Sequence, residues 1–140
     1  MDECVNFHFD IDGDNFTSAG EASVRIKKHL REMGFSPETI RRVSVAMYEG
    51  EINMVIHANG GSADVDVYVD RIEIKLMDNG PGISDIGLAM QEGYSTAPDN
   101  IRSLGFGAGM GLPNMKRYTD NMKIESEVGK GTTIYMTVNV

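Results

Sequence analysis

Apolar and polar residues alternate over the first strand-length stretch of the chain, with Val5, Phe7, Phe9 and Ile11 separated by Asn6, His8 and Asp10. A period of two predicts a half-buried β-strand, with His8 on the solvated face and Asp12-Gly13-Asp14 as the closing turn. The period then changes. Ala22, Ile26 and Leu30 recur at steps of four, which predicts an amphipathic helix over 18–33, and Gly34 stands where a helix C-cap belongs. Ser36-Pro37 combines a capping side chain with a proline in the first turn, so a second helix is expected from there to about His57. Ile40, Val43, Met47 and Val55 give it a face to bury, and Asn59-Gly60-Gly61 ends it. Val65, Val67, Val69 and then Ile72, Ile74, Leu76 predict two strands joined at Asp70-Arg71 in an antiparallel hairpin. A two-turn helix is expected from Gly111 toward Asp120, then strands at 122–127 and 132–139 around a Gly129-Lys130-Gly131 turn.

Between 78 and 111 the pattern lapses. Eight of the 16 glycines fall there, with Pro81 and Pro98 among them. So long an irregular stretch inside a compact domain is uncommon and often forms a functional lid, here about 84–108. A short helical pattern at 84–91 occupies its first part. Gly105, Gly107, Gly109 and Gly111 then alternate straight into the next helix. Such backbone can take positive φ and approach a ligand, and a helix start adds free N–H groups suited to phosphate. A dinucleotide G-x-G-x-x-G would need glycine at 110 or 112, where Met110 and Leu112 stand, and no G-x-x-x-x-G-K-[ST] occurs. Taken alone, the segment also fits a flexible loop with no ligand.

Composition narrows the classes. With 140 residues and 41% of them hydrophobic, one domain over 1–140 with one core is expected. No apolar run approaches the ~18 residues that a membrane span needs, and the acidic, alternating MDECVNFHFD is not a signal peptide. The single cysteine, Cys4, excludes an internal disulfide and fits a reducing cytoplasm. A net charge of -8 argues against a nucleic-acid partner. It also gives no long-range attraction to ATP, so any nucleotide must be held by local backbone donors and a metal ion.

Two groups of residues carry candidate chemistry. Glu49 and Asn53 lie four apart, on one face of the second helix. The carboxylate can take a proton from an attacking hydroxyl or water, and the neutral amide can complete the oxygen shell of Mg²⁺. Taken alone, an ordinary polar helix face is the better explanation of both, since Glu51 is acidic too, and His57 on the same line reads as structural. Asp78-Asn79-Gly80-Pro81-Gly82 follows a strand end, where an aspartate can accept from an exocyclic amine and glycines let a flat ring approach. The same residues make a good turn.

Order and spacing separate these readings. A helix with Glu-x-x-x-Asn, a strand ending in DNGPGI, a flexible stretch, GxGxGL before a helix and GKGTTI in a strand together resemble the Bergerat ATP-binding fold. DNA gyrase, mismatch-repair ATPases and sensor histidine kinases share that fold, and the resemblance runs from Val5 to Val138. It implies an α/β architecture, an α+β two-layer sandwich with a mixed, mostly antiparallel sheet and helices on one face. GYSTA (93–97), GFGAGMGLPNMKRYTD (105–120) and GKGTTI (129–134) look most like the small serine/threonine kinases of bacterial partner-switching modules, the anti-sigma and switch kinases. By that resemblance Glu49 is the general base and Asn53 the Mg²⁺ ligand. Asp78 binds the adenine amine, with Gly82 close to the ring and Thr132 in support. The loop Gly107, Ala108, Gly109, Met110, Gly111 and Leu112 wraps the phosphates of ATP. The implied substrate is a serine or threonine on a STAS-type antagonist, with a sigma factor or phosphatase as a further partner and a homodimer among the assemblies allowed.

Some features depart from the wider family. Only 35 residues precede Ser36-Pro37, and His29 lacks the context of a phospho-accepting histidine, so histidine autophosphorylation is not expected. Nor are the further domains that couple gyrase-type hydrolysis to motion in evidence. Gly50 beside the expected base costs roughly 1 kcal/mol of helix propensity; it fits either close packing or a drifted site. Lys116 and Arg117 fit phosphate contact or solvent equally. The rival function is a protein that binds ATP or ADP, transfers nothing and sequesters or activates a partner; Glu49 and Asn53 favour the kinase.

Overall fold

The computed structural model describes residues 3–13, 20–58, 60–83, 86, 90 and 111–140. Among them are five strands and three helices: β1 (Val5–Asp12), α1 (Glu21–Glu32), α2 (Pro37–His57), β2 (Gly60–Val67), β3 (Arg71–Met77), α3 (Gly111–Arg117), β4 (Asn121–Glu127) and β5 (Gly131–Asn139). The strands form one sheet in the order β1-β2-β3-β5-β4. Every described pairing is antiparallel, where a mixed but mostly antiparallel sheet was expected. The reason is in the connections. Two hairpins are antiparallel by construction, and the two helices between β1 and β2 return the chain to the end it left, so that Asp12 pairs with Gly60.

The alternation is realised face by face. Ala63, Val65 and Val67 of β2 and Ile72, Ile74 and Leu76 of β3 are buried beneath the helices. The opposite face carries the polar residues: His8 lies across from Asp64, and Asp64 from Lys75. His8 is solvated there, as expected, but it bonds Asp64 at 2.8 Å and Asp10 at 3.1 Å. Those bonds, Asp64 first, raise the imidazole pKa above its ordinary value.

Boundaries moved at two places. Val69 was expected in a strand but sits 91% exposed in the β2–β3 turn. Val67 pairs with Ile72, and the Tyr68 N–H bonds the Arg71 carbonyl at 2.9 Å, which leaves 68–70 as the loop. Gly60 and Gly61 do not merely end α2; they open β2 opposite Asp12 and Ile11. Of the expected helix at 84–91, Ile86 and Met90 are described and joined by a backbone bond of 3.0 Å.

α2 lies across the middle of the molecule. Ser36 caps it, its hydroxyl accepting from the Thr39 N–H at 3.2 Å, with Pro37 next in line. A β-carbon at Gly50 would run into Leu76, with the Met115 sulfur 3.6 Å away. Close packing therefore accounts for that glycine: α2 rests on β3 there and α3 closes in from the side.

On its other side α2 supplies what α1 lacks. α1 starts after Gly20 with no capping side chain of its own. Glu51, 1% exposed, takes that place. Its Oε2 accepts from the Gly20 and Ala22 N–H groups at 3.0 and 3.2 Å, and Oε1 from Ser23 at 2.6 Å. A helix N-terminus leaves such donors unpaired, and burial makes leaving them so costly. Glu51→Ala is expected to cost about 2–3 kcal/mol in urea unfolding. Burial raises the Glu51 pKa, outweighing the three N–H donors, so the folded protein holds this proton to higher pH than the unfolded chain. The contribution is then largest at low pH and declines as pH rises through the raised pKa. The stability of wild type relative to Glu51→Gln should fall as pH rises through that window; a rise would contradict the raised pKa.

Candidate functional site

Asp78 follows directly on β3 and extends the β3–β5 ladder by one residue. Its N–H bonds the Thr132 carbonyl at 2.9 Å, and its Oδ1 accepts from the Thr132 N–H at 3.2 Å. The same oxygen accepts from the Gly80 N–H at 2.9 Å, which folds the D-N-G turn back on itself. Among the described residues, Oδ2 accepts no hydrogen bond. One carboxylate oxygen thus holds the backbone while the other remains an acceptor.

Glycine is required around this clamp. A β-carbon at Gly131 (φ 130°) would strike the Asp78 carbonyl, and one at Gly82 (φ 79°) the Glu127 carbonyl. Gly82 was expected to make room for a ring; here the β4–β5 turn is its neighbour. Ser126 completes the join. Its hydroxyl accepts from the Ile83 N–H at 2.7 Å, lies 2.8 Å from the Thr132 hydroxyl and donates to the Gly131 carbonyl at 3.2 Å. The Gly129 N–H bonds the Pro81 carbonyl at 2.8 Å, so segment 80–83 is stitched to the β4–β5 turn at both ends. A recess of 320 Å³ opens at this join, lined by Asp78, Asn79, Ser126, Gly131 and Thr132 together with Met77, Glu125 and Thr133.

α2 carries the second group. Glu49 and Asn53 are half-buried, one turn apart. The Asn114 amide of α3 donates to Glu49 Oε1 at 3.2 Å, and Arg117 donates to Asn114 Oδ1 at 3.2 Å. Gly111 abuts Glu49: a β-carbon there would stand 3.7 Å from Oε2. Buried Leu112 and Met115 seat α3. Arg42 ties down its exit, pairing with Asp120 at 2.7 Å and donating to the Tyr118 carbonyl at 3.2 Å. The Asn139 N–H, and then Arg42, hold the Asp120 carboxyl below its ordinary pKa.

Of the expected site residues, Asp78 and Thr132 meet directly, and Glu49 meets Gly111 at the head of α3. The C-terminal end of α2 joins the two groups, since a β-carbon at Gly80 would lie 2.6 Å from the Ala58 β-carbon. Glu49 and Ala58 are nine residues apart on the helix, about 13 Å along its axis. Gly107, Ala108, Gly109 and Met110 fall outside the described residues, as does the 84–108 stretch apart from Ile86 and Met90. Lys116 is exposed, and Arg117 reaches Asn114. Sequence reasoning missed Asn114, Ser126 and the cap made by Glu51. The available signals were the i,i+3 spacing of Asn114 and Arg117 and the register that puts Ser126 opposite Thr132.

The family model described as histidine kinase-, DNA gyrase B- and HSP90-like ATPase matches residues 15–140. An anti-sigma F factor of Clostridium acetobutylicum is 36% identical over 120 residues, 82% of this chain and 80% of that protein. The serine/threonine-protein kinase RsbT of Bacillus subtilis is 33% identical over 108 residues, 74% of this chain and 75% of that protein. Among solved structures, the RsbU and RsbW domains of a Mycobacterium tuberculosis protein match with a TM-score of 0.65 at 17% identity, covering 96% of this chain and 32% of that longer one. At that identity the match bears on the fold alone.

The Ser126 join yields a test. A single hydrogen bond contributes about 1 kcal/mol, so Ser126→Ala should speed amide exchange at Ile83 about fivefold while leaving the β2–β3 ladder protected. Unchanged exchange at Ile83 would mean that the 80–83 segment is held by other contacts.

Proposed function

The chain belongs to the histidine kinase-, DNA gyrase B- and HSP90-like ATPase family, and from that membership we propose that it is an ATP-dependent serine/threonine-protein kinase of a bacterial partner-switching module. The observation that carries the reading is Glu49. Its carboxylate is held by Asn114 beside Gly111, where the glycine loop ends and phosphates are expected. A protein that only bound nucleotide would have no use for a positioned base.

The roles follow from the chemistry. Asp78 Oδ2 accepts from the adenine amine, while Oδ1 keeps the backbone clamp and Thr132 holds the aspartate in place. The loop from Gly107 to Leu112 wraps the phosphates, and the 84–108 stretch closes over them as a lid. A partner's serine or threonine hydroxyl gives its proton to Glu49 as its oxygen takes the γ-phosphoryl group, and the bond to ADP breaks. Positioning and charge stabilisation dominate such transfers, and a general base adds to them.

A metal fits on one condition. Among the described residues no three His, Cys, Asp or Glu side chains group into a metal site. Mg²⁺ would then take most of its oxygens from phosphate and water, with Asn53 as the neutral protein ligand, and would offset the phosphate charge. No described helix is long and apolar enough to cross a membrane. A STAS-type antagonist is the proposed substrate and a sigma factor or phosphatase a further partner, in the cytoplasm, with a homodimer as the proposed assembly.

The test uses purified protein, labelled ATP, Mg²⁺ and STAS domains encoded near its gene. Wild type should label a serine or threonine on one of them, and Glu49→Gln should label it about 10²–10⁴-fold more slowly with ADP affinity nearly unchanged. Wild type that binds such a domain in the presence of nucleotide, and never labels it, is a binding protein and no kinase.

A further inference from the structure

Glu49 is half-buried on α2 and has several rotatable bonds, so its own helix does not determine where its carboxylate points. A tether from elsewhere must supply that direction. The tether is a two-step chain on α3. Arg117 can only donate hydrogen bonds, so the Asn114 oxygen must face Arg117 and the Asn114 amide nitrogen must face Glu49. That order places an N–H donor on Glu49 Oε1 and leaves Oε2 beside Gly111.

We propose that Asn114 is a positioning residue for Glu49, its amide oriented by Arg117 so that the carboxylate is aimed at the start of α3. The inference rests on the kinase reading and extends it. Asn114 stands three residues beyond Gly111, on the helix that leaves the glycine loop. The base is therefore aimed only while that helix is seated. Buried Leu112 and Met115 and the Arg42–Asp120 pair seat it independently of the Asn114–Glu49 bond. Removing Asn114 should release the carboxylate and leave α3 in place.

The test is a double-mutant cycle with a spectroscopic check. A hydrogen bond to a charged group corresponds to about a tenfold to hundredfold effect, so Asn114→Ala should lower kcat by that factor and leave ADP affinity unchanged. Asn114→Asp, nearly the same shape, should be slower still, because its carboxylate opposes that of Glu49. In a Glu49→Gln background Asn114→Ala should add no further loss, since the residue acts through the group already removed. In NMR spectra Glu49→Gln should shift the side-chain amide resonances of Asn114. A full additional loss in the Glu49→Gln background, a loss of ADP affinity matching the loss of kcat, or unmoved Asn114 resonances would each overturn the proposal. Unchanged kcat in Asn114→Ala ends the positioning role alone. A wild type that binds ADP and transfers no phosphate ends the kinase reading and the positioning role together.

Discussion

One oxygen of Asp78 organises the end of the sheet. By accepting from both Gly80 and Thr132 it binds the end of β3 to β5 and turns the chain into segment 80–83. Close approach of three backbone stretches follows, and it excludes a β-carbon at Gly131 and Gly82. Backbone N–H groups at such a crossing must be paired, because leaving them dry and unbonded costs about 1–3 kcal/mol each. A carboxylate suits the task because it accepts at two oxygens. The fold occupies one, and among the described residues the other accepts no hydrogen bond.

α2 links this crossing to the rest of the site, and two of its glutamates show how environment assigns a role. Glu49 and Glu51 are two residues apart, so they leave the helix in different directions. Glu51 is sealed against α1, where three backbone donors surround it and burial still raises its pKa. Glu49 is half-buried and faces α3, with a side-chain donor on one oxygen and the end of the glycine loop beside the other. The first carboxylate holds structure. The second is placed where chemistry can reach it. Gly50 between them lets the helix settle on Leu76 closely enough for both arrangements to hold.

Much of this was legible in the chain. The period-two runs and the Ser36-Pro37 cap marked the elements to within a few residues, because burial on one face and capping are local demands. The glycines of the D-N-G-P-G turn were visible as places where side chains are excluded. What stayed hidden depends on partners distant in sequence. Glu51 looks like a surface glutamate until α1 is laid against it, 28 to 31 residues away. Asn114 means nothing until α3 meets α2, 65 residues from Glu49. Gly50 had two explanations until Leu76 was found beneath it. Val69 misled because alternation continues past Val67 although the ladder does not.

Among the described residues Asp78 Oδ2 accepts no hydrogen bond, and under the proposed function it accepts one from the exocyclic amine of adenine. Inosine diphosphate replaces that amine with a carbonyl and carries a proton on the adjacent ring N1, so a donor is lost where Asp78 is proposed to accept. Calorimetric titration of the unmodified protein with each, in the presence of Mg²⁺, compares the two ring edges. A hydrogen bond to a charged acceptor predicts that ADP binds about tenfold to a hundredfold more tightly. Equal affinity for the two nucleotides would contradict the assignment of Asp78.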